Sequence, residues 1–170
     1  MYDRILVPTD GSPGVERAVE HAIGLAAAHG ATLHAVYVCN TAGYGGLPLE
    51  TSWEGVREML AQEGESAIER VDRLAAERSV PVEGEVVDGT PAAEIVAAAE
   101  EAGCDLIVMG THGRGGLDRI LLGSVAERVV RSSQVPVLTV RVEELNAERD
   151  GDADRGEEPV VGDPESTTTG

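Results

Sequence analysis

The chain has 170 residues and a formal net charge of −18, from 31 acidic and 13 basic residues, and every basic residue is arginine. This length fits one domain, and a hydrophobic content of 42% is enough to build its core. The acidic excess repels the phosphates of nucleic acids and argues against a nucleic-acid-binding or membrane-surface role. Because Lys and Phe are absent, the composition is also typical of proteins from salt-loving organisms, and we expect a halophilic source.

The N-terminus reads M-Y-D-R-I-L-V-P, which is too short and too quickly charged for a signal peptide. The sequence also contains no uninterrupted apolar run of about 18 residues. We therefore expect a soluble, cytoplasmic protein. Cys39 and Cys104 form no C-x-x-C pair, and each falls in an apolar run, so we predict buried thiols.

From the N-terminus to about residue 142, short apolar runs alternate with longer runs of helical period. The predicted strands are residues 4–7, 33–38, 80–87, 106–109 and 135–142. The predicted helices are residues 15–28, 53–78, 91–102 and 125–132, where apolar residues recur three and four apart. Strands that are apolar throughout and separated by helices indicate a parallel sheet covered on both faces. We predict an α/β fold, Rossmann-like, with an open, doubly wound, five-stranded parallel sheet and helices on both faces.

Residues 143–170 differ from the rest of the chain in composition. They carry ten acids and two arginines, few large apolar residues and no periodic pattern. Such a segment cannot bury enough surface to offset the entropy of ordering the chain. We predict a domain over residues 1–142 and an acidic, disordered tail over 143–170, which is either a solvating extension or an interaction tail.

Polar and glycine-rich residues follow the first and the fourth predicted strand. P-T-D-G-S follows the first strand, and M-G-T-H-G-R-G-G-L-D-R-I-L-L-G-S-V covers the end of the fourth strand and the start of the last helix. In an open parallel sheet, ligands bind at the carboxyl ends of the strands, where the connections diverge to opposite faces. Glycines let the backbone approach an anion, a helix start suits a phosphate, and Arg114 adds charge-assisted hydrogen bonds. The sequence therefore predicts a polyphosphate site.

Two familiar phosphate-binding motifs do not fit this segment. A Walker A loop requires lysine, which the chain lacks. A dinucleotide-binding G-x-G-x-x-G starting from Gly113 and Gly115 would need its third glycine at Asp118.

The segment does contain G-x-x-G, nine further residues and then G-[ST], with Gly110, Gly113, Gly123 and Ser124 in the four places. This pattern resembles the ATP-binding branch of the universal stress protein family. The resemblance covers residues 1–142 and includes V-P-T-D-G-S, L-H-A-V-Y-V and V-P-V-L-T-V. It implies the fold of the adenine nucleotide alpha hydrolases and bound ATP, with Mg²⁺ or Mn²⁺ held through the phosphates.

The resemblance also implies roles for individual residues. Pro8 and Asp10 would border the adenosine, the Asp10 carboxylate would accept a hydrogen bond from it, and Val36 would meet adenine through its backbone. The ribose and phosphates would be wrapped by two runs. The first run is Gly110, Thr111, His112, Gly113, Arg114, Gly115 and Gly116, and the second is Gly123, Ser124, Val125 and Ala126. Thr9 completes the candidate site. A homodimer is implied through the last strand, from Val135 to Val142, whose apolar edge invites pairing.

Simpler roles are open for several of these residues. Asp10-Gly11 is a common turn pair, and Ser124 could be only a helix cap. No Asp, Ser or Cys is placed by sequence to form a triad with His112, so we predict no catalytic residue. The other histidines lack metal-ligand spacing, so we predict no metal held by protein side chains alone. Two function classes remain: an ATP-dependent binding module or switch, and a slow ATP hydrolase.

Overall fold

Strands and helices alternate along the chain in the computed structural model, which describes residues 1–40, 53–111 and 122–141. The elements are β1 (Arg4–Pro8), α1 (Pro13–His29), β2 (Thr32–Cys39), α2 (Trp53–Ala76), β3 (Val82–Asp88), α3 (Pro91–Glu101), β4 (Leu106–Gly110), α4 (Ser124–Ser132) and β5 (Val137–Val140). All strands pair in parallel, in the order β3-β2-β1-β4-β5. The predicted five-stranded α/β fold is confirmed.

Helices cover both faces of the sheet. Alternate strand residues such as Ile5, Leu33 and Val108 pack with α1 and α2, while Leu6 and Ile107 point to the opposite face and pack with α3 and α4. All five residues of β4 are buried. A strand that is buried on both faces must be apolar throughout, which is why L-I-V-M carries no alternation.

The helix boundaries follow from local chemistry. α1 begins at Pro13, whose missing N–H costs nothing at a helix start. It ends at Gly30, which takes the left-handed conformation with φ of 70° and donates its N–H to the Ala26 carbonyl. α3 likewise begins at Pro91, after Thr90 in an extended conformation.

Two strands are shorter at their start than predicted. β3 begins at Val82 rather than residue 80, because Pro81 has no N–H for the ladder and contributes only its carbonyl, to the N–H of Leu33 at 2.9 Å. β5 begins at Val137 after Pro136, for the same reason. The predicted tail, residues 143–170, lies outside the described residues and stays a prediction. None of the helices described here is both long and apolar enough to cross a membrane.

Candidate functional site

A tight turn joins β1 to α1. The Thr9 Oγ1 accepts the N–H of Gly11 at 3.2 Å, and the Asp10 Oδ1 accepts the N–H of Ser12 at 2.9 Å. Gly11 has φ of 72°, a conformation that disfavours residues with a Cβ. Asp10 is therefore a turn residue, as its sequence allowed, and the turn presents its carboxylate at the carboxyl end of the sheet.

The second part of the site is the junction of β4 and α4. Thr111 donates its N–H to the Val140 carbonyl at 2.9 Å, and its own carbonyl accepts the N–H of Gly123 at 2.6 Å. The second of these bonds places Gly123 beside Thr111, although twelve positions separate the two residues in the sequence. The start of α4 therefore lies beside the end of β4.

The start of α4 supplies backbone donors. Gly123 is the N-cap and makes no side-chain cap, and the first helical hydrogen bond runs from the N–H of Glu127 to the Gly123 carbonyl at 2.8 Å. The N–H groups of Ser124, Val125 and Ala126 precede that bond, so they have no acceptor within the helix. Such a helix start is a natural anion site.

The sheet brings these parts together. β1 and β4 are neighbours, with Ile5 opposite Leu106 and Leu6 opposite Ile107. Their connections leave toward opposite faces, α1 to one and α4 to the other. The predicted residues at this edge are Pro8, Thr9, Asp10, Gly110, Thr111, Gly123, Ser124, Val125 and Ala126. His112, Gly113, Arg114, Gly115 and Gly116 lie outside the described residues, and their roles stay predictions.

Val36 lies within the sheet, and its contact with adenine stays a prediction. Val36 lies opposite Pro8 inside the β1–β2 ladder, its side chain is fully buried, and its carbonyl accepts the N–H of Thr9 at 2.9 Å. Backbone groups of every second residue point to the same side of a strand. Val38 is therefore the next β2 residue whose N–H and carbonyl face the β1 side, and the β1 strand ends before reaching it.

Two further residues also lie at the β1–α1 turn: Ser12, which belongs to the P-T-D-G-S run but had no predicted role, and Arg70, which no sequence feature suggested. The Ser12 Oγ is buried and has no hydrogen-bond partner among the described residues. Arg70, from α2, places its Nη1 3.4 Å from the Gly11 carbonyl oxygen. Only the packing of α2 beside the turn brings Arg70 there, and no sequence pattern indicates that contact.

The titration of the cysteines follows their burial. Burial raises the pKa of the Cys104 thiol to about 11 and also raises the pKa of Cys39. Both cysteines are free and buried, as predicted. Within residues 1–40, 53–111 and 122–141, no three His, Cys, Asp or Glu side chains are grouped to hold a metal ion.

Comparison with known proteins agrees with this architecture. The sequence profile of the universal stress protein family matches residues 1–141. Universal stress protein MJ0531 of Methanocaldococcus jannaschii is 47% identical over 141 residues, which are 83% of each chain. The structure of hypothetical protein MJ0577 of the same organism matches with a TM-score of 0.76 and 32% identity, over 84% of this chain and 98% of that one. A universal stress protein solved in complex with cAMP matches with a TM-score of 0.63 and 28% identity, over 84% and 98% of the two chains.

The matched region spans the whole described sheet and both parts of the site. The chain belongs to the universal stress protein family.

Proposed function

We propose that this protein binds ATP at the carboxyl end of β1 and β4 and acts as a nucleotide-dependent binding module or switch in the response to stress. One observation carries the proposal. The Asp10 turn and the three amides at the start of α4 lie at the ends of two adjacent strands whose connections diverge. This arrangement offers a carboxylate for the nucleoside and N–H donors for the phosphates.

The groups at this edge have hydrogen-bonding capacity that a nucleotide would use. The Ser12 Oγ is a buried hydroxyl without a partner in the described chain, and the amides of Ser124 to Ala126 lack helical acceptors. The phosphates would face these donors. A Mg²⁺ or Mn²⁺ ion would be bound through the phosphate oxygens and would neutralise phosphate charge beside a strongly acidic protein.

Adenine would be read by the backbone of β2. The N–H and carbonyl of one extended residue present a donor and an acceptor side by side, which complement the ring nitrogen and amino group of adenine. Guanine presents the opposite order along the same edge, so the site should prefer ATP to GTP. We assign this contact to Val38, since the Val36 carbonyl already accepts the N–H of Thr9. The neighbour in complex with cAMP supports an adenine nucleotide.

The test is calorimetric titration with ATP and GTP in the presence of Mg²⁺. Asp10→Asn keeps an oxygen for the Ser12 N–H but replaces one acceptor by a donor, so ATP affinity should fall about tenfold or more. Asp72→Asn makes the same charge change on the exposed side of α2 and should bind like the wild type. Gly113→Val, which puts a side chain where backbone should approach phosphate, should abolish binding. Equal affinity for GTP, or normal binding by both site variants, would refute the proposal.

Phosphate release measured in the same samples separates a binding module from a slow hydrolase. A binding module retains intact ATP over hours, whereas a hydrolase releases phosphate with Mg²⁺ present.

We further propose that residues 143–170 are dispensable for nucleotide binding. All the site residues precede Arg141, and the family profile ends at residue 141. ATP titration of a chain that ends at residue 142, at low and at multimolar KCl, should give the wild-type affinity. A truncated chain that has lost ATP binding would make the tail part of the domain.

A homodimer through β5 completes the proposal. The N–H of Ile107 bonds the Pro136 carbonyl and the N–H of Thr111 bonds the Val140 carbonyl, so the even-numbered residues of this segment face β4. The N–H and carbonyl groups of Val137 and Thr139 therefore point away from the sheet. An apolar edge strand with outward backbone donors and acceptors suits pairing with a second copy.

A further inference from the structure

Arg70 links α2 to the β1–α1 turn. It lies 59 positions from Gly11 in sequence, yet its Nη1 is 3.4 Å from the Gly11 carbonyl oxygen. The two residues also line one open groove of about 400 Å³, together with Met59, Gln62, Glu63, Ser66 and Ala67. The turn therefore contacts α2 at the side of the proposed nucleotide site.

Side chains of the turn accept hydrogen bonds from its own amides, whereas the Gly11 carbonyl is bonded from outside the turn. Side chains of Thr9 and Asp10 accept the N–H groups of Gly11 and Ser12. The Gly11 carbonyl points instead to the groove, where the Arg70 guanidinium donates to it. Because Gly11 has φ of 72° and glycine has a wide conformational range, a bond from outside the turn narrows the conformations open to it.

α2 is a rigid support for this contact. Ala67 and Val71, on either side of Arg70 in the helix, are 5% and 2% exposed. One turn earlier, Gly64 packs so closely that a Cβ there would lie 2.8 Å from the Tyr37 ring and 2.9 Å from Val86. The α2 backbone at Arg70 is thus fixed against β2 and β3. The Arg70 side chain therefore contacts the turn from a fixed position.

We propose that Arg70 is a positioning residue, which fixes the Asp10–Ser12 turn in the conformation that receives the nucleoside. This inference rests on the proposed nucleotide site but concerns a contact made without nucleotide. A guanidinium that fixes the turn affects every ligand that uses Asp10, whatever its phosphate content. A guanidinium that acts only through its charge affects polyphosphates alone, and salt screens its effect.

The test uses Arg70→Met, Arg70→Lys and the control Arg73→Met. Met has a similar length but no donor, Lys keeps the charge and a donor, and Arg73 is another exposed arginine on the same helix. Nitrogen relaxation of the nucleotide-free proteins should give lower order parameters at Gly11 and Ser12 in Arg70→Met only. Arg70→Lys should restore them in large part.

Binding provides the second measurement. In Arg70→Met, the affinities for ATP and for adenosine should fall by the same factor, about three to ten, which is the loss of one hydrogen bond. This loss should persist at 1 M salt. Unchanged order parameters at the turn, or a loss confined to ATP that salt removes, would overturn the positioning role.

The two measurements separate this inference from the function on which it rests. If the wild-type protein bound neither ATP nor adenosine, the proposed function would fail. The order parameters of the turn would still decide whether Arg70 holds it.

Discussion

The two edge strands of the sheet differ in the charge they carry. β3 has the sequence V-E-G-E-V-V-D, and its Glu83 and Glu85 lie on one face, where Glu83 pairs with Arg4 and Glu85 Oε1 lies 2.8 Å from His34 Nε2. β5 has the sequence V-L-T-V, and all four residues are half-buried. Charges on an edge strand oppose pairing with another sheet, because pairing would bury them. The difference favours β5 over β3 as the edge for the proposed dimer.

Blocking the β5 edge should have the largest effect. Thr139→Pro removes an outward N–H and leaves the ladder to β4 intact, so the dimer dissociation constant should rise at least about 100-fold, or roughly 2.7 kcal/mol. Thr139→Val keeps the N–H and should remain dimeric. Sedimentation velocity at micromolar concentration gives the state of association, and circular dichroism confirms that both variants fold. A folded Thr139→Pro dimer would remove β5 from the interface.

The β3 edge is instead tied closely to α2, which a glycine substitution tests. A Cβ on Gly84 would overlap the Ile68 Cγ2, so Gly84→Ala should lower the free energy of unfolding by about 1–3 kcal/mol. A Cβ on Gly24 in α1 would have only Arg78 Nη1 nearby, at 3.5 Å, and Gly24→Ala should be neutral or stabilising by up to about 1 kcal/mol. Urea denaturation measures both. Equal effects of the two substitutions would show that β3 is not held as closely as the geometry indicates.

The two halves of the sheet meet at β1 and β4, where Asp105 supports the junction. Its Oδ2 accepts the N–H groups of Asp3 at 2.7 Å and Arg4 at 3.0 Å, and these bonds lower the pKa of the carboxyl. A lowered pKa in the folded state adds stability above the unfolded pKa, near 3.8, and this stability is lost as pH falls through the folded pKa. Asp105→Ala should therefore cost about 1 kcal/mol at pH 7.

The pH dependence of this stability difference provides the control. The difference in unfolding free energy between wild type and Asp105→Ala should be constant from pH 5 to 7 and should shrink as the pH falls below 3.8. Asp72→Asn, on the exposed side of α2, should show no such trend. A difference that persisted unchanged into acid would mean that the carboxylate charge is not what holds the junction.

The sequence predicted each strand and helix of this sheet, because burial on both faces imposes apolar strands and helical period imposes apolar stripes. It predicted the ends of β3 and β5 less well, since Pro81 and Pro136 lie inside apolar runs yet cannot donate to a ladder. The register between strands is a tertiary property. For that reason the sequence could not show that the β1–β2 ladder ends at Val36, whose contact with adenine stays a prediction.

The candidate site was predicted by motif at both strand ends, and the structure brings Asp10 and the start of α4 to one edge. Arg70 was missed because α2 reaches the β1–α1 turn only through packing against β2 and β3. Gly113 to Gly116 remain predicted from their spacing alone, since they lie outside the described residues.

The smallest effect is expected at the charged edge, from Glu83→Gln. Glu83 and Arg4 form an ion pair, and their side chains are 54% and 30% exposed. The hydrogen bond from Arg4 to Glu83 raises the pKa of Arg4. Exposed pairs contribute about 0.2–1 kcal/mol, so the variant should lose no more than this in urea denaturation at 0.1 M salt. At 1 M salt the screening length falls from ~10 to ~3 Å, and the difference should disappear. In this variant, the charges of Glu85 and Asp88 still oppose strand pairing at the β3 edge. Sedimentation should therefore again give the proposed dimer. Larger species would mean that Glu83 alone keeps β3 from pairing, and the charge contrast between the two edges would then depend on one residue.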